Sequence, residues 1–320
     1  VEVQLTGLSK QELEAAHCWE GEDRVPKRPD MTDFRRRLRY QQAQWRETHG
    51  HPIGSQPIAP RAGEVRRPVG SRLPLAYARK TGANFLTAGA LAAARARTSM
   101  TEPHQSFDRQ RLWADLLWSP AMCFNLFGDL AADLALADRA VHTWWPDAPG
   151  KVSEVRFAHS PGWLDPAYLG NLIAFDVAFV LDLDEGRQGI VGVDTKYHAA
   201  AKRHLAKPAR LARYRDVAKR SGVFAPRAID ALDGTDLLVM WLEHLLAQSM
   251  LQHSSARWRW ARYAVTYPSG NSDVAGACSR YADLLFDPST FSSLTIEALL
   301  DAKALPTRTT AALRKRYIPG

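Results

Sequence analysis

Three charged side chains stand where a strand normally excludes them. Asp176 interrupts the apolar run from Ala174 to Leu181, and Asp194 and Lys196 close the run that resumes at Ile190. Charge inside such a run is costly unless it is paired or bound to a cation. Side chains alternate along a strand with period 2, so Asp194 and Lys196 share a face, and a hairpin brings Asp176 beside them. Carboxylates are hard donors suited to Mg²⁺, or to Mn²⁺, which take one or two of them and complete their shell with water and phosphate oxygens. A cation held there polarises a phosphodiester and offsets charge in the transition state. Lys196 is placed to orient water and to stabilise negative charge as it develops. The plainer reading of Asp194-Thr195-Lys196 alone is a salt bridge at a strand end. Phe175, Val177 and Phe179 around Asp176, the hairpin, and the basic stretch that follows favour a metal-dependent phosphodiester site.

The elements that must position these residues are legible in outline. Polar turn formers fill 182–189 between the two apolar runs, which predicts a hairpin. Val152, Val155 and Phe157 alternate with polar residues over 151–159 and predict a preceding strand, with Glu154 as a candidate accessory acid. The stretch 109–140 is the strongest helical region, with Pro120 marking a kink or a start and Ser119 its cap. After Lys196 a basic helix is expected over 202–220, then an apolar helix over 236–252, a strand over 257–267 and a turn at 268–271. This order is α/β.

Upstream, Ser9 and Glu12 form a capping box for a short helix reaching Trp19. A second helix is expected over 30–45, with Phe34, Leu38, Gln41 and Trp45 on one face. Its Arg35, Arg36, Arg37 and Arg39 suit either a phosphate backbone or a solvated face. The proline and glycine density of 49–74 opposes regular structure and predicts a wrapping segment, whose arginines Arg61, Arg66, Arg67 and Arg72 suit an arm on a nucleic acid or a partner subunit. An alanine-rich helix follows over 84–97. The expected organisation is an N-terminal helical and Pro/Gly-rich extension over 1–104, a catalytic core over 105–305, and a basic tail over 306–320.

Composition narrows the function class. A chain of 320 residues, 46% hydrophobic, buries a large core and is not disordered. Its 42 basic against 34 acidic residues leave a net charge of +8, which favours a polyanionic partner such as nucleic acid. The basic residues following the hairpin, Lys202, Arg203, Lys207, Arg210 and Arg213, are candidate phosphate contacts. His198 lies close enough to Lys196 to touch the site. Trp258-Arg259-Trp260 carries an aromatic-basic pattern suited to nucleic acid, whereas most other tryptophans, Trp118 included, read as core or interface. Three dispersed cysteines give neither a disulfide framework nor a zinc motif and fit a reducing cytoplasm. No run of 18 apolar residues suggests a membrane span, and no secretory signal layout is evident.

Asp176 followed by Asp194-Thr195-Lys196 at the end of the next strand resembles the signature of the PD-(D/E)XK nuclease superfamily. The resemblance extends to a bacterial restriction-endonuclease-like group through Ser119 to Gly128, His159-Ser-Pro-Gly162, Ala174-Phe-Asp-Val177, Gly192 to Tyr197 and Arg213-Tyr214, over roughly residues 105–285. It implies a restriction-endonuclease-like mixed sheet flanked by helices and Mg²⁺-dependent hydrolysis of DNA. Asp176, Asp194 and Lys196 would then be catalytic, and Asp176, Asp194 and Thr195 the metal set. Defence against foreign DNA follows from the same resemblance. The long N-terminal segment suggests restraint or activation by a regulatory protein or by homo-oligomerisation. Members of the group carry an acid shortly after the lysine, where this chain has Ala199. That alanine favours the alternative of a non-catalytic nucleic-acid-binding subunit; a ribonuclease using the same site is the other alternative.

Overall fold

The computed structural model describes residues 8–18, 33–57, 65–100, 102–105 and 107–318. Trp19, residues 30–32 and Arg61 lie outside the described residues. Helix α1 (Lys10–Ala15) starts on the expected capping box, with Ser9 and Glu12 bonded reciprocally. Helix α2 (Asp33–Thr48) buries Leu38, Ala43 and Trp45, and also Arg35 and Arg39. The arginines are therefore sorted rather than spread around the helix: Arg36 pairs with Asp33 and Arg37 is exposed, while Arg35 and Arg39 face inward. Among its described residues the Pro/Gly-rich segment forms the short ladder of β1 (Gly54–Ser55) and β2 (Pro68–Val69). Helices α3 (Leu75–Thr81) and α4 (Ala88–Ser99) follow.

The long helical region is three helices, α5 (Arg109–Ala114), α6 (Ser119–Ala132) and α7 (Leu134–Trp144). Asp108 and Asp133 cap α5 and α7 with their side chains and so divide the apolar run. Ser119 is not the cap of α6. It is the first helical residue, Trp118 holds the cap position, and Pro120 occupies the first turn, where its missing N–H is not needed.

Strands β3 (Lys151–His159), β4 (Phe175–Asp182) and β5 (Gln188–Thr195) form an antiparallel meander. The chain then passes through α8 (Pro208–Ser221), α9 (Pro226–Ala231) and α10 (Leu238–Leu251). It returns in β6 (Trp258–Tyr267), which runs parallel to β5. Helix α11 (Ser272–Ala282) leads to β7 (Phe291–Thr295), parallel to β6. Helices α12 (Ile296–Asp301) and α13 (Thr307–Tyr317) complete the described chain. The sheet order β3-β4-β5-β6-β7 is mixed and helix-flanked, an α/β architecture of the restriction-endonuclease-like kind.

Both sheet faces are covered, which is why β4 and β5 read as nearly continuous apolar runs. Val177, Phe179, Val191 and Val193 join Phe127 of α6 and Leu313 and Tyr317 of α13 in one core. Leu38 of α2 enters that same core. Ala178, Val180 and Ile190 pack with Tyr214 of α8, Trp241 of α10 and Val274 of α11 on the opposite face. The basic helix begins only at Pro208; Lys202 and Arg203 lie in the irregular segment before it, because a proline is well suited to open a helix and poorly suited to continue one.

Candidate active site

The site forms where β4 begins and β5 ends. Val177 pairs with Val193 in the antiparallel register, so one step further out Asp176 faces the end of β5. Gly192 makes this approach possible: a Cβ there would stand 2.4 Å from the Phe175 ring, which packs over the β5 backbone next to the acids. Asp194 and Lys196 continue the face of Ile190, the face covered by α10. The same two-residue alternation that placed them together in the sequence thus turns them toward that helix.

Asp176 is held by its neighbour on the next strand. The Thr195 amide donates to Asp176 Oδ2 at 2.9 Å and the Thr195 hydroxyl donates to the same oxygen at 2.5 Å. The Lys196 ammonium is ion-paired with Asp194 and lies 3.9 Å from Glu243 Oε1. Tyr263 donates its hydroxyl proton to the other Glu243 oxygen at 2.6 Å. Two backbone contacts fix the strand end: the Lys196 amide donates to Thr266 O at 2.8 Å, and the Tyr197 amide donates to Ser119 Oγ at 2.9 Å. Ser119, displaced from its expected capping role, therefore holds the residue next to Lys196.

Burial and like charge shape the ionisation of these groups. Burial, reinforced by the Asp194 carboxylate, pushes Asp176 up to about 7, against the smaller pull of Thr195 and Lys196. Burial and Asp194 likewise hold Glu243 well above the usual carboxylate range. Burial works against the Lys196 ammonium, but Asp194 and Glu243 outweigh it and the lysine binds its proton more tightly than usual. Three carboxyl groups thus converge on one ammonium, a crowding that holds two of them toward their protonated forms and that a bound cation would relieve.

Asp176, Asp194, Thr195, Lys196, His198 and Lys202 all line one cavity of about 790 Å³. Glu243 and Ala199 line it as well. Among the described residues no group of three or more His, Cys, Asp or Glu side chains is arranged to hold a metal ion. The donor set still fits Mg²⁺ or Mn²⁺, which need only one or two carboxylates besides water and phosphate.

Other expected site residues go elsewhere. Glu154 is exposed and pairs with Arg156 at 2.6 Å; its register partner is Val180, far along β4 from Asp176. Arg213 donates to the carbonyls of Tyr168 and Ala167 at 2.7 and 2.9 Å and ties α8 to the loop before β4. Arg203 and Lys207 are exposed and Arg210 is half-buried; none of the three lines the cavity. Trp258 is buried among the apolar side chains under α10, which contradicts a base-stacking role for it.

Glu243 was missed because it sits inside the apolar run of α10. A lone acid among Leu242, Leu245 and Leu246 is the signal that singled out Asp176, and it was available there too.

A mixed sheet with paired acids and a lysine at the end of its central hairpin defines a nuclease-type α/β fold. Accordingly, the model of the PD-(D/E)XK nuclease superfamily matches residues 28–319, and the chain belongs to that superfamily. Nuclease chemistry on a nucleic acid, generally with a divalent metal, is the class of activity that membership carries. No curated protein and no solved structure matches the chain.

Proposed function

We propose that this chain is a Mg²⁺-dependent endonuclease that hydrolyses DNA phosphodiester bonds, with Mn²⁺ able to replace Mg²⁺. The observation that carries the reading is the convergence of Asp176, Asp194, Glu243 and Lys196 on a single cavity at the strand ends. Asp176 and Asp194 would hold the ion, and Thr195 orients Asp176 through its two hydrogen bonds. The bound ion supplies charge neutralisation at the scissile phosphate and a more acidic water. Lys196, kept cationic by Asp194 and Glu243, stabilises the negative charge that grows on the phosphate oxygens. Glu243, braced by Tyr263, fixes the ammonium from the helix side.

This reading accounts for Ala199. That residue lines the cavity, and its carbonyl accepts a hydrogen bond from Asn271 at 3.0 Å, so the position is structured without an acid. Glu243 supplies a third carboxylate from α10 instead, which favours an active enzyme over a non-catalytic binding subunit. A cytoplasmic role in defence against foreign DNA, with activation by a partner or by self-association, extends the proposal.

Purified protein is incubated with plasmid, single-stranded DNA and RNA in Mg²⁺, Mn²⁺ or EDTA. DNA cleavage requiring the ion and lost in Asp194→Ala, with binding retained, is the expected outcome. Cleavage by Asp194→Ala at the wild-type rate contradicts the assignment, and cleavage confined to RNA replaces the substrate.

A further inference from the structure

The chain that leaves the site carries cations and no acids. From Thr195 to Arg215 the sequence has no Asp or Glu, while Lys202, Arg203, Lys207, Arg210, Arg213 and Arg215 follow Lys196. Along α8 such charge is matched: Arg213 and Arg220 pair with Asp216 at 3.1 and 2.9 Å, and Arg215 pairs with Asp230 at 3.1 Å. Ahead of the helix it is not. Lys202, Arg203 and Lys207 are exposed, and none of their side chains has a hydrogen bond or an ion pair among the described residues. Lys202 borders the cavity that holds the acids, and Lys207 lies at most about 18 Å of chain beyond it.

Between these cations an apolar side chain stands in water. Leu205 is 81% exposed. The backbone on both sides of it is anchored: the His204 amide donates to Thr235 O at 3.3 Å, and the Ala206 amide donates to Asp233 Oδ1 at 2.7 Å. Both acceptors belong to the connection 232–237, between α9 and the helix that supplies Glu243. Gly234 in that connection has φ +76°, and a Cβ there would stand 3.3 Å from Leu205 Cδ2, so the leucine leans on the connection with little of its surface covered. A lone exposed leucine needs no explanation, and a run of cations is commonly a solvated face. Here the two are interleaved on one tethered segment that starts at the cavity. A partner that covers both presents negative charge and apolar surface side by side, as a nucleic-acid strand does with its phosphates and base faces.

We infer that the segment 202–207 grips nucleic acid beside the cut: Lys202, Arg203 and Lys207 take backbone phosphates, and Leu205 packs against a base of the same strand, as apolar wedges do. The inference rests on the nuclease reading and adds the means by which the nucleotides flanking the scissile phosphate are held. Every nucleotide offers a phosphate and a base face, so the grip is indifferent to sequence. The anchored backbone presents Leu205 without first having to be ordered, which keeps the entropic cost of this contact low.

The test is fluorescence anisotropy on the full chain in EDTA across a salt series, with a short labelled oligothymidine and an abasic strand of the same length. The variants are Leu205→Asn, Arg203→Gln and Lys207→Gln, all at exposed positions, and all three are expected to melt like the wild type. Arg203→Gln and Lys207→Gln should each flatten the slope of log K against log salt by about 0.7 on both strands, the value for one phosphate contact on a single strand. Leu205→Asn should leave that slope unchanged, lose about tenfold in affinity for oligothymidine, the lower end of what burying a leucine is worth, and lose nothing on the abasic strand. A wild type that does not distinguish the two strands, a Leu205→Asn loss that is absent or equal on both, or unchanged slopes in the two cation variants overturns the inference. Metal-dependent cleavage together with three variants that bind like the wild type defeats the inference alone. Binding that depends on Leu205, Arg203 and Lys207 as described, without cleavage in any ion, defeats the nuclease reading alone.

Discussion

Two cations in this molecule, Arg316 fully buried and Lys196 half-buried, live in opposite company. Arg316 is 0% exposed, and its guanidinium donates to Gln42 Oε1 at 3.2 Å, to Asn84 O at 2.7 Å and to Asn84 Oδ1 at 2.5 Å. It also stacks 4.1 Å over the Trp45 ring. These partners are neutral, and burial holds the guanidinium below its ordinary value. Lys196 is instead surrounded by Asp194, Glu243 and, more weakly, Asp176, and it is held above its ordinary value. The Arg316 network is closed: it ties α2, the segment before α4 and α13 together and leaves no surplus of negative charge. The Lys196 network opens on a cavity and carries more carboxyl groups than cations. A buried cluster whose guanidinium finds a neutral acceptor for each nitrogen is architecture, and one that crowds several acids beside a cavity is built for something that arrives.

The largest effect expected from this contrast is on cleavage. Lys196→Met should lower the cleavage rate on the order of 10³-fold, and a divalent ion should restore part of any stability it loses by relieving the carboxyl crowding that the ammonium no longer offsets. Arg316→Met should destabilise the fold by about 3 kcal/mol by stranding Asn84 and Gln42, with no rescue by the ion. Activity assays and denaturant melts with and without Mg²⁺ check both. Equal rescue of the two variants would erase the distinction.

A smaller effect belongs to Glu243. Glu243→Gln keeps an acceptor for Tyr263 but weakens the brace on Lys196, and it should slow cleavage about 10- to 100-fold, the range seen when a group supporting a metal site is altered. The metal-free protein should not be destabilised, since a buried acid facing Asp194 has gone. A variant at full rate removes Glu243 from the site.

The third expectation is a pH dependence. Asp176 titrates at about 7 in the fold against an ordinary value of 3.8, so the native state binds the extra proton between those limits. Its contribution to stability is present at low pH and is lost as pH rises through that window. Asp176→Asn lacks this loss. The metal-free variant should therefore gain on the wild type from about pH 4 to 7, and Mg²⁺ should close the gap by favouring the wild-type carboxylate. Denaturant melts at the two ends of the window read this directly. A constant difference contradicts it.

The clustering of the charged strand residues was more legible in the sequence than its framing. Asp176, Asp194 and Lys196 stand out because charge in an apolar strand is conspicuous, and the hairpin register then follows from period 2. Glu243 carries the same signal but lies 47 residues beyond Lys196, and only the parallel crossover of α10 onto β5 and β6 brings it home. The arginines of α2 could not be sorted from spacing, because Arg35 turns inward to pair with Asp273, far along the chain. Glu154 shared a strand with the right neighbours but sits toward its far end, a distinction of register rather than of residue type. Ser119 has the side chain of a helix cap and serves instead as the acceptor for the Tyr197 amide.

Calorimetric titration of Mn²⁺ into the wild type, Asp176→Asn and Asp194→Asn tests the central claim most directly. The crowding of carboxyl groups around Lys196 predicts a saturable binding heat for the wild type that is lost in both variants while their folds persist. Undiminished binding in both variants would show that the ion is held elsewhere and contradict the account.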